Sequence, residues 1–265
     1  MMDMELIRRY VQGNHIVTTY ILDVGGARVA IDPGPPNSTP PIEVDYVLCT
    51  HIHNDHCGSA GHLGKPVYAH EKYIRHLADP SRLWQATRDT LGPIADLFGE
   101  PRPARDVRPL RDGDRLFDAV DVYFTPGHAP HHVMFYFRDE GVLFTGDGAG
   151  VYVPEIRAIF PTTPPPFRYD LYVESLRRAA SIGASKLCFP HFTCTEDVDL
   201  LRVHEEQIKA WREAALAVKG RGGGPEDLLA ELRRVDENAA KAADKGGLLY
   251  SFFVWQTLVG LLQSV

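Results

Sequence analysis

The feature that most constrains this chain is a cluster of histidines and acidic residues behind a short apolar run. His51, His53, Asp55 and His56 fall within six positions, directly after residues 44–49, which we predict to form a buried strand. Side chains two apart in an extended segment point the same way, so His51 and His53 can approach one ion. Imidazole and carboxylate are ligands that Zn²⁺ and similar metals prefer. The cluster therefore predicts a metal site at a strand end.

Charge and cysteine content narrow the class of protein. The 265 residues, 44% of them hydrophobic, suffice for one large domain or for a domain with a sizeable appendage. A formal net charge of −7 makes nucleic acid a poor partner. The four cysteines, Cys49, Cys57, Cys188 and Cys194, form no CxxC motif, and residues 1–5 lack the pattern of a secretion signal. We therefore expect no disulfide framework and a location in the reducing cytoplasm.

Ligand-type residues recur wherever a later strand is predicted to end. Asp32 follows a hairpin strand at 28–31, although turn chemistry alone could explain it. His128, Asp147 and His191 follow the predicted strands 119–124, 142–145 and 186–189 in the same way. A sheet brings the ends of its strands together along one edge. We therefore expect these distant residues to converge on the histidine cluster.

The order of these motifs resembles that of the metallo-β-lactamase-fold hydrolase superfamily, in particular its glyoxalase II and lactonase-like branch. The resemblance is carried by Asp32, by residues 51–56 with their HxHxDH pattern, and by His128, Asp147 and His191. It implies an α/β fold, a four-layer αββα sandwich, to which we expect this chain to add a C-terminal helical extension. We expect a catalytic domain at residues 1–195, with a helical insertion at 71–100, and the extension at 196–265.

The resemblance also implies a site with two divalent metal ions. Carried over position by position, His51, His53 and His128 hold the first ion, Asp55, His56 and His191 hold the second, and Asp147 bridges them. Asp32 orients the ligand loop from behind. Zinc is the metal we expect, while iron, manganese and cobalt suit the same ligands.

Such a centre predicts a metal-dependent hydrolase. A hydroxide bridging two ions attacks without a serine or cysteine nucleophile, and the chain contains no G-x-S-x-G motif. Asp55 could accept the nucleophile's proton. The expected substrate is a small ester, lactone, thioester or phosphotriester. The alternative is an oxidoreductase resembling persulfide dioxygenases, with one iron in the first metal position; metal content separates the two.

Two further residues are candidates for the catalytic machinery. His132 belongs to a stretch with two extra histidines, His131 and His132, and could bind a ligand or move protons. A partly buried histidine at a strand start explains His132 equally well. Tyr152 follows Asp147 in a segment that shapes the substrate pocket in the superfamily, which makes it a possible oxyanion donor.

The last 70 residues lie outside these motifs. We predict helices at 196–219 and 226–244, followed by an apolar helix at 247–262. The apolar stretch is short for a membrane span and lacks basic flanks. We therefore expect no membrane contact, but a helix that covers the pocket or forms a homodimer interface.

Overall fold

Two six-stranded sheets form the centre of the molecule. The computed structural model describes residues 3–155, 157–238, 241 and 248–265. The first sheet runs in chain order, β1 (Met4–Val11), β2 (Asn14–Val24), β3 (Ala27–Ile31), β4 (Tyr46–Leu48), β5 (Val67–His70) and β6 (Val107–Leu110). Strands β1 to β3 are antiparallel, whereas β3 to β6 are parallel neighbours.

The second sheet contains strands from the rest of the chain. Its strands are β7 (Arg115–Leu116), β8 (Val120–Phe124), β9 (Val133–Phe137), β10 (Val142–Phe144), β13 (Lys186–Cys188) and β14 (Cys194–Thr195), in the spatial order 14-13-10-9-8-7. A small hairpin of β11 (Val151–Val153) and β12 (Ala158–Phe160) lies outside both sheets. The β10–β13 pair is parallel, so both strands deliver their carboxyl ends to the same edge.

The alternation of side chains along the strands produces separate apolar layers. In β2, Tyr20 and Leu22 pack between the sheets, while Ile21 faces the opposite side. In β9, Val133 and Phe135 enter the same central layer and Met134 points outward. Side chains of a strand alternate between its two faces, and in β2 and β9 most residues of both faces are buried. Both faces of both sheets are therefore covered.

Helices form the two outer layers. They are α1 (Asn54–Cys57), α2 (Ala60–Leu63), α3 (Ile74–Ala78), α4 (Ser81–Leu91), α5 (Ala95–Phe98), α6 (Tyr169–Ser181), α7 (Leu200–Gly220), α8 (Pro225–Val235) and α9 (Leu248–Gln263). Helices α1 to α3 share the outer core of the first sheet, and α6 to α9 share that of the second. The expected four-layer α/β sandwich, with helical structure at the C-terminus, is confirmed.

Helix positions agree with the sequence better than helix ends do. Residues 71–100 contain α3, α4 and α5. A 3₁₀ turn at Gly92–Ile94 separates the last two, where Gly92-Pro93 predicts a break. The helix expected at 226–244 ends at Val235, and 239, 240 and 242–247 lie outside the described residues. Among the described helices, none has the length and hydropathy needed to cross a membrane.

The apolar C-terminal stretch is a helix that packs against the rest of the molecule. Val254, Leu258 and Leu261 of α9 join the outer core of the second sheet. The Thr163 hydroxyl donates a hydrogen bond to the carbonyl of Thr257, at 2.8 Å. Helix α9 is therefore attached beside the loop that follows β12.

The expectation of unpaired cysteines is wrong. Disulfides join Cys49 to Cys57 and Cys188 to Cys194. In the second pair, Cys188 and Cys194 face each other across the β13–β14 ladder. In the first, the chain leaves β4 and turns back into α1, so that eight positions of sequence span a Cα–Cα distance of 6.0 Å. Spacings of this kind carry no motif, because the pairing comes from how the chain folds back.

Candidate metal centre

Four loops deliver the predicted ligands to one edge of the sandwich. His51 and His53 follow β4, and α1 begins directly behind them and carries Asp55 and His56. His128 follows β8, Asp147 lies in a 3₁₀ turn after β10, and His191 follows β13. All seven residues come together, as the convergence of strand ends predicts.

The ligand atoms form two groups. The side-chain nitrogens of His51, His53 and His128 lie within 4.8 Å of one another, and so do the ligand atoms of Asp55, His56 and His191. In the first group, His128 Nε2 lies 3.3 Å from His53 Nδ1. In the second, Asp55 Oδ2 lies 3.4 Å from His56 Nε2. Each group has the size of one metal site.

The carboxylate of Asp147 connects the two groups. Its Oδ2 lies 3.5 Å from Nε2 of His128, in the first group. Its Oδ1 lies 3.6 Å from Nε2 of His56 and 3.3 Å from Nε2 of His191, in the second. The two oxygens therefore face different groups, which is the placement that a bridging carboxylate requires.

Hydrogen bonds from outside the cluster orient four of the histidine rings. Each of these rings uses Nδ1 for the outside contact, which leaves Nε2 directed at the cluster. The partners are Thr50 Oγ1 for His51 (3.0 Å), Asp32 Oδ2 for His56 (3.1 Å), the Thr162 carbonyl for His128 (3.0 Å) and the Ile16 carbonyl for His191 (2.6 Å). Such contacts select the tautomer whose free nitrogen can bind a metal.

Asp32 supports this arrangement from behind. Its Oδ1 accepts the Thr50 backbone N–H at 2.8 Å, and its Oδ2 accepts the Thr50 hydroxyl at 2.6 Å and the ring of His56. Asp32 lies close enough to His51 and His56 to share a metal ion with them. Because both of its oxygens already accept hydrogen bonds, we assign it to orienting His56 and Thr50.

Three polar atoms at the centre of the cluster lack a hydrogen-bond partner. They are Nε2 of His51, Nε2 of His56 and Oδ1 of Asp147, all buried. Buried polar groups are costly unless they are hydrogen-bonded or coordinate a metal. All three belong to the predicted ligand set, and imidazole nitrogen with carboxylate oxygen suits a divalent ion. The residues present therefore fit a two-metal centre.

The electrostatics of the cluster also favour positive charge beside His56. Burial and the neighbouring His56 hold the pKa of His51 well below its ordinary value, and burial lowers that of His53 to about 4. Both rings are thus neutral near pH 7. Burial lowers the pKa of His56 as well, but Asp55 and Asp147 outweigh it and raise that pKa well above its ordinary value. The space between the two carboxylates therefore favours positive charge, whether a proton or a metal supplies it.

A cleft of about 360 Å³ opens beside the cluster. Asp55, His53, His128, Asp147 and His191 line its inner end. Burial raises the pKa of Asp55, but His56 and His53 outweigh this effect and bring it to about 2. A carboxylate is thus available at the point where the cleft meets the metal centre.

The structure does not bring His132 and Tyr152 to this cleft. His132 is fully buried; its Nε2 accepts the Gly148 N–H at 3.0 Å, and its Nδ1 bonds the Thr125 hydroxyl at 2.8 Å. It thus holds the turn that carries Asp147. Tyr152 lies in the outer core of the second sheet, its ring 5.7 Å from that of Phe189. Neither residue is placed to touch a substrate at the metal centre.

The residue that sequence reasoning passed over is His131. Its Nδ1 accepts the Ile52 backbone N–H at 3.3 Å, so the proton of a neutral ring sits on Nε2. The side chain lines the cleft. The adjacent pair His131-His132 indicated that a further histidine lies near the site. The sequence does not show which of the two side chains faces the cleft.

Comparison with known proteins agrees with this geometry. Residues 13–191 match the family described as the metallo-beta-lactamase superfamily. ST1585 of the archaeon Sulfurisphaera tokodaii, a metallo-beta-lactamase fold-containing protein, is 31% identical over 193 residues, which are 66% of this chain and 72% of that protein. The lactamase-like protein vrtG of Penicillium aethiopicum is 27% identical over 72% of this chain, a match that spans only 57% of vrtG.

Solved structures lead to the same fold. The crystal structure of ST1585 superposes with a TM-score of 0.68 at 25% identity, covering 77% of this chain and 85% of that one. TTHA1429 of Thermus thermophilus, a metallo-beta-lactamase family protein, gives 0.71 at 23% identity over 98% and 92% of the two chains. The family match covers more than half of the chain and includes every predicted ligand. This chain belongs to the metallo-beta-lactamase superfamily.

Proposed function

We propose that the protein is a hydrolase that uses two divalent metal ions and water to cleave an ester-type bond. The observation that carries this proposal is the carboxylate of Asp147, whose two oxygens face separate ligand groups and whose Oδ1 is buried without a hydrogen bond. Zinc is the proposed metal. TTHA1623, which was solved in a di-iron-bound form, superposes with a TM-score of 0.56 at 25% identity over 73% of this chain and 96% of that one. That structure supports two metal ions per chain, and it supports iron as the alternative to zinc.

Two ions bound here would polarise the scissile bond and lower the pKa of an attacking water. The residues of the chain supply the remaining functions. Asp55 borders the cleft as a carboxylate and can accept the proton of the nucleophile. His131, with its proton on Nε2, can donate a hydrogen bond to an oxygen of the substrate. Asp32 and Thr50 hold the rings of His56 and His51 in place.

The alternative is a persulfide dioxygenase with one iron. It requires only the group of His51, His53 and His128. The second group of Asp55, His56 and His191 is as closely gathered as the first, which supports the two-metal reading.

Metal content and a substrate panel test the proposal. Full-length protein should contain about two metal ions per chain and hydrolyse at least one of a carboxylic ester, lactone, thioester or phosphotriester. Removal of the metals with a chelator should abolish hydrolysis, and zinc or iron should restore it. One iron per chain, no hydrolysis and oxygen uptake with a persulfide would replace the hydrolase with the oxidoreductase.

The cellular location and oligomeric state remain proposals. The two disulfides weigh against the cytoplasm, since disulfides are rare in reducing compartments. Thiol titration of protein purified without reductant tests whether the four cysteines are paired. A homodimer is supported by Trp255, a large apolar residue of helix α9 that is 44% exposed. Light scattering on the native chain and on Trp255→Ser would decide it.

A further inference from the structure

The outer part of the cleft is built from two elements that carry no metal ligand. Helix α4 forms one wall, and α9 forms another together with the loop at 164–166. Most of the side chains there are apolar. They include Leu83, Ala86 and Leu91 of α4, Val254 of α9, and Phe160 and Pro165 from the region between β12 and α6. Ligand sites of this size with apolar linings take ligands through the burial of apolar surface.

The charges of the cleft are all on the side of the metal centre. Its carboxylates are Asp55, which belongs to the second ligand group, and Asp147, which faces both groups. No lysine or arginine lines the cleft in the part of the chain that the structure describes. The polar side chains on the outer walls are neutral, among them Thr87, Thr90 and Gln256. An anionic group on a substrate would therefore lose its hydration without gaining a cationic partner.

We propose that the substrate is an uncharged ester, lactone or thioester whose acyl part is an extended apolar chain held between α4 and α9. This inference rests on the proposed function. The apolar walls bind the chain, while the reacting carbonyl lies at the inner end of the cleft beside Asp55 and His131. Substrates with a carboxylate or phosphate on the acyl part are disfavoured. The selectivity for acyl groups is thus determined by the helices and not by the metal ligands.

A homologous series of substrates tests the proposal. With the metal-loaded, full-length protein, kcat/KM for straight-chain p-nitrophenyl esters should rise from acetate upward by about fourfold per methylene, and level off once the cleft is filled. Half-esters of dicarboxylic acids of the same length should react at least ten times more slowly. A rate independent of chain length, or a preference for the half-esters, would overturn the proposal.

Two matched substitutions on α4 locate the effect. Ala86 lines the cleft and Gln85 does not, and both side chains are exposed, so the helix can accept tryptophan at either position. Ala86→Trp should lower kcat/KM for octanoate at least tenfold and leave acetate within twofold. Gln85→Trp should change neither. Thr90→Arg, which adds a cation to the wall, should raise the rate with half-esters. Equal responses at positions 85 and 86 would contradict the assignment.

A binding measurement separates this inference from the proposed function. Calorimetry on the metal-loaded, full-length protein should detect 1-alkanols whose affinity increases about fourfold per methylene from butanol to octanol, and Ala86→Trp should abolish that trend. If a protein with two metals hydrolyses no ester but binds alkanols in this way, the hydrolase fails and the apolar site stands. If it hydrolyses esters and shows no length dependence in either assay, the apolar site fails.

Discussion

The metal centre and the outer cleft are neighbours, yet they are built in different ways. In the metal centre nearly every ring has a fixed hydrogen-bond partner, as His56 has in Asp32 and His191 in the Ile16 carbonyl. All of its ligands lie within the 13–191 family match. The outer cleft consists of apolar and neutral side chains from α4 and α9, and α9 lies beyond that match. The metal centre depends on directional hydrogen bonds, whereas the outer cleft depends on the shape of an apolar surface.

This difference follows from what each region does. A metal ion accepts ligands only at set distances and directions, so a ring that rotates freely binds poorly. Burial of an apolar chain is non-directional and depends on area. We therefore expect changes in the metal centre to act on the chemistry for all substrates, and changes in the cleft to act on the choice among substrates.

The largest effect is expected from Asp147→Asn. An amide offers one oxygen and removes the charge that faces both ligand groups, so one or both metals should be lost. Hydrolysis should fall by more than about 100-fold, since even residues behind the ligands are worth about 10- to 100-fold. Metal analysis and kcat/KM report both effects. Asp139→Asn, at an exposed position, is the control, and full metal content in Asp147→Asn would contradict the bridging role.

A smaller effect is expected at Thr50, which touches no substrate. Its hydroxyl donates to Asp32 at 2.6 Å and lies 3.0 Å from Nδ1 of His51. Thr50→Val should weaken metal binding about tenfold, as measured by competition with a chelator, while Thr50→Ser restores it. Alkanol binding in the outer cleft should be the same in both variants. If the valine variant binds metal as well as the native chain does and the serine variant does not, the methyl group matters and the hydroxyl does not.

The sequence was sufficient to predict which side chains meet at the candidate metal centre because ligand chemistry restricts residue type. Only a few side chains bind divalent metals, and their recurrence behind strands at Asp32, His128, Asp147 and His191 left few arrangements open. The four-layer fold was implied by the resemblance of these motifs to the superfamily, and the burial of both faces of β2 agrees with it.

What the sequence could not provide depends on how loops and helices pack. The choice between His131 and His132 is decided by which way one turn faces, and Tyr152 proved to be a core residue because β11 pairs with β12 and lies against Phe189. The disulfides form where the chain folds back on itself. Helices α4 and α9 line the same cleft although they are far apart in the sequence, and no sequence pattern links the two segments.

The next prediction acts on the cleft and spares the metal centre. Gly260 lies where α9 crosses the loop after β12; a Cβ there would come within 1.8 Å of the Thr163 carbonyl oxygen. Gly260→Ala should displace α9, lower the free energy of unfolding by about 1–3 kcal/mol and reduce the dependence on acyl length. Metal content should stay at two per chain.

The control for this variant is Gly220→Ala. Gly220 is the last residue of α7, and a Cβ there meets nothing within 4 Å. Urea unfolding should place the control within about 1 kcal/mol of the native chain. Loss of metal from Gly260→Ala would show that the two regions are not independent.

The smallest effect concerns the helical layer and appears only in mild acid. His204 of α7 is buried, with Nε2 2.8 Å from the Tyr172 hydroxyl and Nδ1 2.9 Å from Gln207 Oε1, and burial lowers its pKa to about 4. The unfolded chain takes up a proton near pH 6.5 and the folded chain does not. This histidine therefore costs no stability at neutral pH, and its cost grows as the pH falls through 6.5 towards 4.

The difference in unfolding free energy between the native chain and His204→Gln should thus be constant above pH 7. The native chain should lose about 0.8 kcal/mol relative to the variant at pH 6, and about 1 kcal/mol more for each further pH unit down to pH 4. Urea unfolding of metal-free protein measures it, with His62→Gln, at an exposed position, as the control. A difference that does not vary with pH would mean that His204 is charged in the folded protein. The outer helical layer of the second sheet would then tolerate a buried charge on α7.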